Sequence, residues 1–148
     1  MTDHNLRLSQ IISPFGVGGI CVLSGESFVG VDIGRWPLTG QRIKGMEHFS
    51  HALGMDHFKI PPVKSIDYYD NTSPKIPYHR FPRWLFCMSC RRLIYWRFQD
   101  DTDNASPFCN VCPGSRLLTP MRFIQICQNG HMGDVYWNRW AHADPKNF

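Results

Sequence analysis

Two Cys-x-x-Cys pairs constrain this chain more than any other feature of its sequence. Cys87 and Cys90 form the first pair. Cys109 and Cys112 form the second, after eighteen intervening residues. That separation is typical of four-cysteine zinc sites. Each pair places two thiolates on one tight turn, roughly 2.3 Å from a shared ion, and the second turn completes a tetrahedron. Since four sulfur ligands leave no position for water, the spacing predicts one structural zinc ion per chain, with a non-catalytic role.

Two alternatives use the same four cysteines. Two disulfides require an oxidising compartment, but the segment from Met1 to Gln10 is polar and lacks the apolar core of a signal peptide. A thioredoxin-like redox motif is the other alternative, yet two pairs at zinc spacing argue against it. No apolar stretch approaches the roughly 20 residues that span a bilayer. We therefore expect a cytoplasmic protein without membrane association.

The net charge of +4 is concentrated in the second half of the chain. Residues 1–77 carry seven Lys and Arg against seven Asp and Glu, whereas residues 78–148 carry nine against five. Arginine and aromatic residues interleave from residue 80 to residue 97, with no acidic residue among them. Guanidinium groups attract phosphates and aromatic faces stack on bases, so this stretch predicts a surface for nucleic acid or a protein partner. The predicted surface comprises Arg80, Arg83, Trp84, Arg91, Arg92, Tyr95, Trp96 and Arg97.

A structural interpretation of the same stretch stays open. In it, the aromatic residues pack around the zinc module and the arginines form a solvated face. Asp100, Asp101 and Asp103 follow directly and can pair with some of those arginines.

The first sixty residues predict a β-hairpin and a short helix. Ile20–Leu23 and Phe28–Ile33 are apolar and β-branched, and they flank a Gly-bearing turn. Because both arms are nearly all apolar, we expect them to be buried on both faces. Gly45–Leu53 has apolar residues at the spacing of one helix face, and Gly54 is a suitable stop.

Residues 61–148 predict a linker followed by a second subdomain. Residues 61–77 are proline-rich and irregular, and we expect them to separate subdomain 1–60 from subdomain 78–148. Met121–Cys127 predicts a strand with Phe123 and Ile126 in the core. The fold class is therefore α+β, mostly β, with an N-terminal hairpin subdomain and a C-terminal zinc-ribbon-like subdomain.

The segment after that strand contains further groups that bind metals. The candidate ligands of a second zinc ion are Cys127, His131 and His142. Asp134 could add a fourth ligand, or the same residues could form a metal- or thiol-dependent hydrolase with Cys127 as the nucleophile. In the structural alternative, Trp137 and Trp140 pack while Asp134 caps a C-terminal helix. The spacing is not a signature of either site.

Three blocks occur in series along the chain. They run from Ser13–Ile20 through the hairpin to Trp36, from Arg80–Cys90 to Cys109 and Cys112, and from Pro120–Phe123 through Cys127, Gly130–His131, Asp134, Trp137 and Trp140 to His142. In order and approximate spacing, these blocks resemble the N-terminal region of DrmB-like proteins, which are accessory proteins of the bacterial DISARM phage-defence system. The resemblance covers nearly the whole chain.

The resemblance implies a function that spacing alone does not give. It implies that the four paired cysteines bind structural zinc and that the arginine-aromatic stretch lies near DNA or a helicase-type protein subunit. DrmB-like proteins extend well beyond the third block, so a C-terminal DrmB-like fragment is a further expected partner. The sequence has no Gly-x-x-x-x-Gly-Lys-Ser/Thr motif, and we predict a non-enzymatic accessory subunit. The alternatives are the hydrolase above and a zinc module that binds only protein.

Overall fold

The protein is mostly β, as expected. The computed structural model describes residues 7–37, 40–61, 76–101 and 106–143. Within these ranges the helices are α1 (Leu8–Ile12), α2 (Glu47–Ala52) and α3 (Trp137–Ala141). The strands are β1 (Ile20–Leu23), β2 (Glu26–Gly30), β3 (Tyr78–Arg80), β4 (Trp84–Cys87), β5 (Leu93–Tyr95), β6 (Leu118–Pro120), β7 (Ile124–Ile126) and β8 (Met132–Asp134). They form three small antiparallel sheets, in the orders β1-β2-β3, β5-β4-β6 and β7-β8. This confirms the α+β, mostly β fold class.

The described residues divide into two compact units. One contains the described parts of residues 7–21 and 28–79, and the other contains residues 22–27 with the described parts of residues 80–143. Most of the predicted linker, residues 62–75, lies outside the described residues. The longest helix that the structure describes has six residues, and no helix in these ranges could cross a membrane.

The β1-β2 hairpin is confirmed, but its predicted burial is wrong. Ser24 and Gly25 join the strands with φ values of 51° and 82°, as the two central residues of a type I′ turn require. In β1, Cys21 is buried whereas the next residue, Val22, is 67% exposed. Successive strand side chains point to opposite faces, so this arm is covered on one face only.

The glycine-rich loop before β1 packs against the end of β2. The backbone N–H of Gly18 donates to the carbonyl of Gly30 at 2.9 Å, and the N–H of Gly30 donates to the carbonyl of Gly19 at 3.0 Å. A Cβ at Gly30 would overlap the carbonyl oxygen of Gly16. The Tyr78 hydroxyl donates to the carbonyl of Phe15 at 2.6 Å. These contacts give the loop a structural role.

The short helix predicted over Gly45–Leu53 forms as α2, and it ends as expected. Gly54 has a φ of 65°, and its N–H donates to the carbonyl of His51 at 3.1 Å, which is a C-terminal arrangement that glycine favours. Two residues of the apolar stripe, Phe49 and Leu53, are 58% and 63% exposed. The stripe therefore contributes little to the core of this unit.

The core of the other unit lies on the β5-β4-β6 sheet. Leu85 of β4 pairs with Ile94 of β5 and with Pro120 of β6. The buried cluster consists of Leu85, Cys87, Cys109 and Leu118, with Ile94, Trp96 and Cys112 packed against it. Half of this small buried cluster is thus contributed by cysteine.

The β7-β8 hairpin corrects one prediction about the core. The strand predicted over Met121–Cys127 forms as the shorter β7, which pairs Ile124 with Asp134 of β8. Phe123 and Ile126, predicted as core residues, are 65% and 63% exposed. A two-stranded hairpin offers little surface to cover its own side chains, so apolar residues there need not be buried.

Candidate metal centre

The first cysteine turn follows directly from the end of β4. The N–H of Cys87 donates to the carbonyl of Arg92 at 3.0 Å, and the N–H of Arg91 donates back to the carbonyl of Cys87 at 2.9 Å. Arg91 reverses the chain with a φ of 62°. Because β5 begins at Leu93, the turn returns the chain at once to the same sheet.

The second cysteine turn precedes β6 in the same way. The N–H of Cys109 donates to the carbonyl of Arg116 at 2.7 Å. Gly114 and Ser115 turn the chain with φ values of 80° and 46°. Leu118, the first residue of β6, then pairs with Cys87 of β4. Since β4 and β6 are neighbours, this pairing brings the two cysteine turns to one end of the sheet.

The four thiols converge as a tetrahedral site requires. The Sγ atoms of Cys87 and Cys112 are 3.7 Å apart, as are those of Cys90 and Cys109. All four Sγ atoms lie within 4.8 Å of one another. A tetrahedron with metal–sulfur bonds of about 2.3 Å has edges of about 3.8 Å, whereas a disulfide requires about 2.05 Å. The residues therefore fit a four-coordinate metal ion, and all four cysteines are free thiols.

Backbone N–H groups prepare the first cysteine of each pair for metal binding. Hydrogen bonds from the backbone of Cys90 and then Ser89 lower the pKa of Cys87 to about 6. In the second turn, the backbone of Val111 and then that of the next residue lower the pKa of Cys109. Hydrogen bonding to the thiolate favours the charged form, which is the form that binds metal.

The thiol of Cys112 shows why the cluster needs a cation. Hydrogen bonding to the sulfur of Cys90, followed by burial, raises the pKa of Cys112 to about 12. Four thiolates this close repel one another, so they do not all ionise without a positive charge between them. A bound divalent cation supplies that charge.

Arg80, part of the predicted nucleic-acid surface, lies inside an ion-pair network. Its Nη1 is 3.1 Å from Oε1 of Glu26, and both side chains are 6% exposed. Its Nε is 2.9 Å from Oδ1 of Asp101. The guanidinium is thus neutralised by two carboxylates and has little contact with solvent.

Arg83 belongs to the same network. Its Nη2 is 3.3 Å from Oδ2 of Asp101, and its Nη1 donates to the carbonyl of Trp96 at 3.1 Å. The guanidinium carbon lies 3.2 Å from the centre of the Phe98 ring. Trp96 donates its indole N–H to Asp101 at 3.0 Å. Asp101 therefore pairs with these arginines, as the structural interpretation of the sequence allowed. The pairing of Glu26 with Arg80 could not be predicted from the sequence, because 54 residues separate the two.

The exposed part of the predicted surface is smaller than the sequence indicates. Arg91, Arg92, Tyr95 and Arg97 are exposed. Trp84 is half-buried and its ring centre lies 5.1 Å from that of Tyr95. Arg91 and Arg92 follow the first cysteine turn directly, so a bound metal would fix the backbone that carries them.

The candidate second site is assembled only in part. The Sγ of Cys127 lies 3.4 Å from Nδ1 of His131. Within the described ranges, the four paired cysteines are the group that gathers as a metal site does, and His142 does not complete a set with the other two. Asp134 accepts a hydrogen bond from the backbone N–H of Arg83 at 2.9 Å. The capping role predicted for Asp134 is wrong, because the residue before α3 is Tyr136.

The fold and the cysteine cluster define a small, mostly β protein with a four-thiol site of the metal-binding type. The chain belongs to the family described as a domain of unknown function, DUF8724, whose model matches residues 7–147. It is also similar to the DISARM protein DrmB of Bacillus paralicheniformis (strain ATCC 9945a / NCIMB 11709 / CD-2), with 32% identity over 124 residues. The match covers 80% of this chain and 20% of that relative. The resemblance to DrmB-like proteins is thereby confirmed, and the chain spans about a fifth of the length of the curated relative it matches.

Proposed function

We propose that this chain is a non-catalytic accessory subunit of a bacterial antiphage complex of the DISARM type, stabilised by one structural zinc ion. The convergence of four Sγ atoms within 4.8 Å carries the proposal. The similarity to a DISARM protein supplies the biological setting.

Zinc is the metal that best suits this set of ligands. Four thiolates in tetrahedral arrangement favour zinc or an iron–sulfur centre, and the Sγ separations of 3.7 Å fit a single ion. Four protein ligands leave no open position for a substrate. Structural zinc contributes on the order of 10 kcal/mol to folding. This contribution is large beside the hydrophobic cluster that the described residues form around the site, in which Leu85 and Leu118 are buried with two cysteines.

The binding role belongs to the exposed residues beside the metal centre. Arg91, Arg92, Tyr95 and Arg97 present cations and one aromatic ring, a combination that suits a phosphate backbone or an acidic protein surface. The proposed partners are a helicase-type protein subunit, DNA, or both, with a C-terminal DrmB-like fragment as a further partner. The proposed location is the cytoplasm, where the thiols stay reduced.

A zinc module that binds protein but not DNA is the second candidate. The burial of Arg80 and Arg83 favours it, because each of these guanidinium groups is paired with a carboxylate of the chain itself. The hydrolase alternative has weaker support, since Asp134 is bonded to the backbone of Arg83.

Salt-dependent DNA binding by the zinc-loaded chain separates the two candidates. The proposed DNA role predicts an affinity that falls steeply between 50 and 200 mM salt. Replacing both Arg91 and Arg92 by Gln should weaken binding and flatten that salt dependence, while Lys44→Gln, an exposed cation of the other unit, serves as the control. No binding at low salt, by the chain alone or with a helicase-type subunit, would remove DNA from the proposal. A measured content of less than one zinc ion per chain would remove structural zinc from the proposed function.

A further inference from the structure

A contiguous aromatic face is formed by the residue that precedes β7 and by two residues of α3. We define the aromatic face as Phe123, Trp137 and Trp140. The ring centre of Trp137 lies 6.2 Å from that of Phe123 and 6.2 Å from that of Trp140, both edge to face. Phe123 and Trp140 are 65% and 69% exposed. The neighbouring Tyr136 is also 69% exposed.

The charges around this face favour a protein partner over a nucleic acid. Residues 121–143 contain four aromatic residues and two arginines, Arg122 and Arg139, but no Lys and no Glu. The single acidic residue, Asp134, is bonded to the backbone of Arg83. Protein interfaces are enriched in aromatic residues, Met and Arg and depleted in Lys, Glu and Asp. Nucleic-acid affinity depends on the number of phosphates neutralised, and two arginines neutralise few.

We propose that the aromatic face is a docking surface for the part of a DrmB-type protein that lies outside the segment matched by this chain. This inference rests on the proposed function. In the relative from Bacillus paralicheniformis, the matched segment is 20% of the protein, so a DrmB-type assembly supplies a large additional polypeptide surface. Since both exposed cations beside the face are arginines, the complementary patch is apolar at its centre and acidic at its rim.

Trp140 should dominate the binding energy, because exposed tryptophans at interfaces are the most frequent hot spots. The probe is the Bacillus paralicheniformis DrmB protein with its matched segment deleted, titrated with the full, zinc-loaded chain. We expect Trp140→Glu to weaken binding at least about 30-fold. Phe49→Glu replaces an aromatic residue of the other unit that is 58% exposed, and it should change affinity less than about twofold. Equal affinities of the Trp140→Glu variant and the unchanged chain would overturn the proposal.

A second measurement covers the case in which the DrmB protein without its matched segment does not fold. The intact relative is rebuilt with this chain in place of its matched segment, and a photo-cross-linking phenylalanine derivative replaces Trp140. Cross-links to the remaining four-fifths of the protein support the docking surface. Their absence, or cross-links no stronger than those formed from position 49, overturns it.

Two further outcomes distinguish this inference from the proposed function. Binding of a single-stranded oligonucleotide that is lost in Trp140→Glu would assign the face to nucleic acid and overturn the docking proposal. Cross-links from position 140 in a protein that binds neither DNA nor a helicase-type subunit would overturn these two proposed partners while leaving the docking surface in place.

Discussion

The backbone N–H of Arg83 donates a 2.9 Å hydrogen bond to the carboxylate of Asp134, 51 residues later in the chain. This bond joins the residue that precedes β4 to the last residue of β8. It therefore connects the sheet that carries the cysteine turns with the separate β7-β8 hairpin.

Removing this carboxylate should loosen the hairpin. We expect Asp134→Ala to lower the free energy of unfolding by about 1–3 kcal/mol, because it leaves a partly buried N–H without an acceptor. Urea unfolding of the zinc-loaded chain measures the loss. Asp134→Asn keeps an acceptor of similar shape and should recover most of the stability, and an equal loss in the two variants would contradict the assignment.

The cysteine cluster should make stability depend on metal. Cys109→Ser removes a buried ligand, and we expect loss of the bound ion together with a large drop in melting temperature, since structural zinc contributes on the order of 10 kcal/mol. Cys127→Ser replaces an exposed thiol outside the cluster and is the matched control. A chelator should destabilise the unchanged chain and the control alike. The prediction fails if the metal-free chain melts as high as the loaded one.

Metal retention should fall with acidification. The pKa of Cys87 is held at about 6, below its ordinary value of 9.0. A depressed pKa contributes stability that is fully present above the unfolded value and is lost as the pH falls through the folded value. Because protons compete with the metal for the thiolates, we expect the ion to be held at neutral pH and to be released progressively as the pH falls. A metal-sensitive dye monitors the release, and a release profile that rises with pH would contradict this sign.

Breaking the buried ion pair should cost far more than breaking the exposed one. Arg80→Gln leaves the buried carboxylate of Glu26 unpaired, and the expected loss is about 3–5 kcal/mol. Arg97→Gln breaks the exposed pair with Asp100, in which the Arg97 side chain is 65% exposed, and should cost less than about 1 kcal/mol. Chemical denaturation of both variants tests the difference. Similar losses would mean that Arg80 is more accessible than the structure indicates.

The backbone of Gly16 lies so close to Gly30 that a side chain at position 30 should be destabilising. A Cβ there overlaps the carbonyl oxygen of Gly16, so we expect Gly30→Ala to lower stability by about 1–3 kcal/mol. A Cβ at Gly133 meets nothing within 4 Å, and Gly133→Ala should be nearly neutral. Thermal unfolding of the two variants provides the comparison, and a neutral Gly30→Ala would show that the loop can move away.

Local features of the fold were predictable because their causes are local. The Cys-x-x-Cys turns, the Ser24-Gly25 hairpin and the helix stop at Gly54 each depend on residues adjacent in sequence. The two cysteine turns are far apart in sequence, but their convergence was predictable because the spacing of the four cysteines indicates that they bind one metal ion.

Long-range features were not predictable from the sequence. Arg80 pairs with a glutamate 54 residues away, and a run of arginines does not indicate which members have such a partner. The sequence predicted a strand over Met121–Cys127, but it does not tell whether another element covers Phe123 and Ile126. Asp134 has the residue type of a helix cap, yet its carboxylate accepts a hydrogen bond from the backbone N–H of Arg83, which precedes β4.

The four thiols differ in how far solvent reaches them. Cys87 and Cys109 are buried, whereas Cys90 is exposed. We therefore expect a metal ion bound by these four cysteines to be most accessible to chelators and electrophiles on the side of Cys90. Exchange of the metal should begin there, and its rate should follow the opening of the short turn between Cys87 and Arg91, long before the sheet itself unfolds.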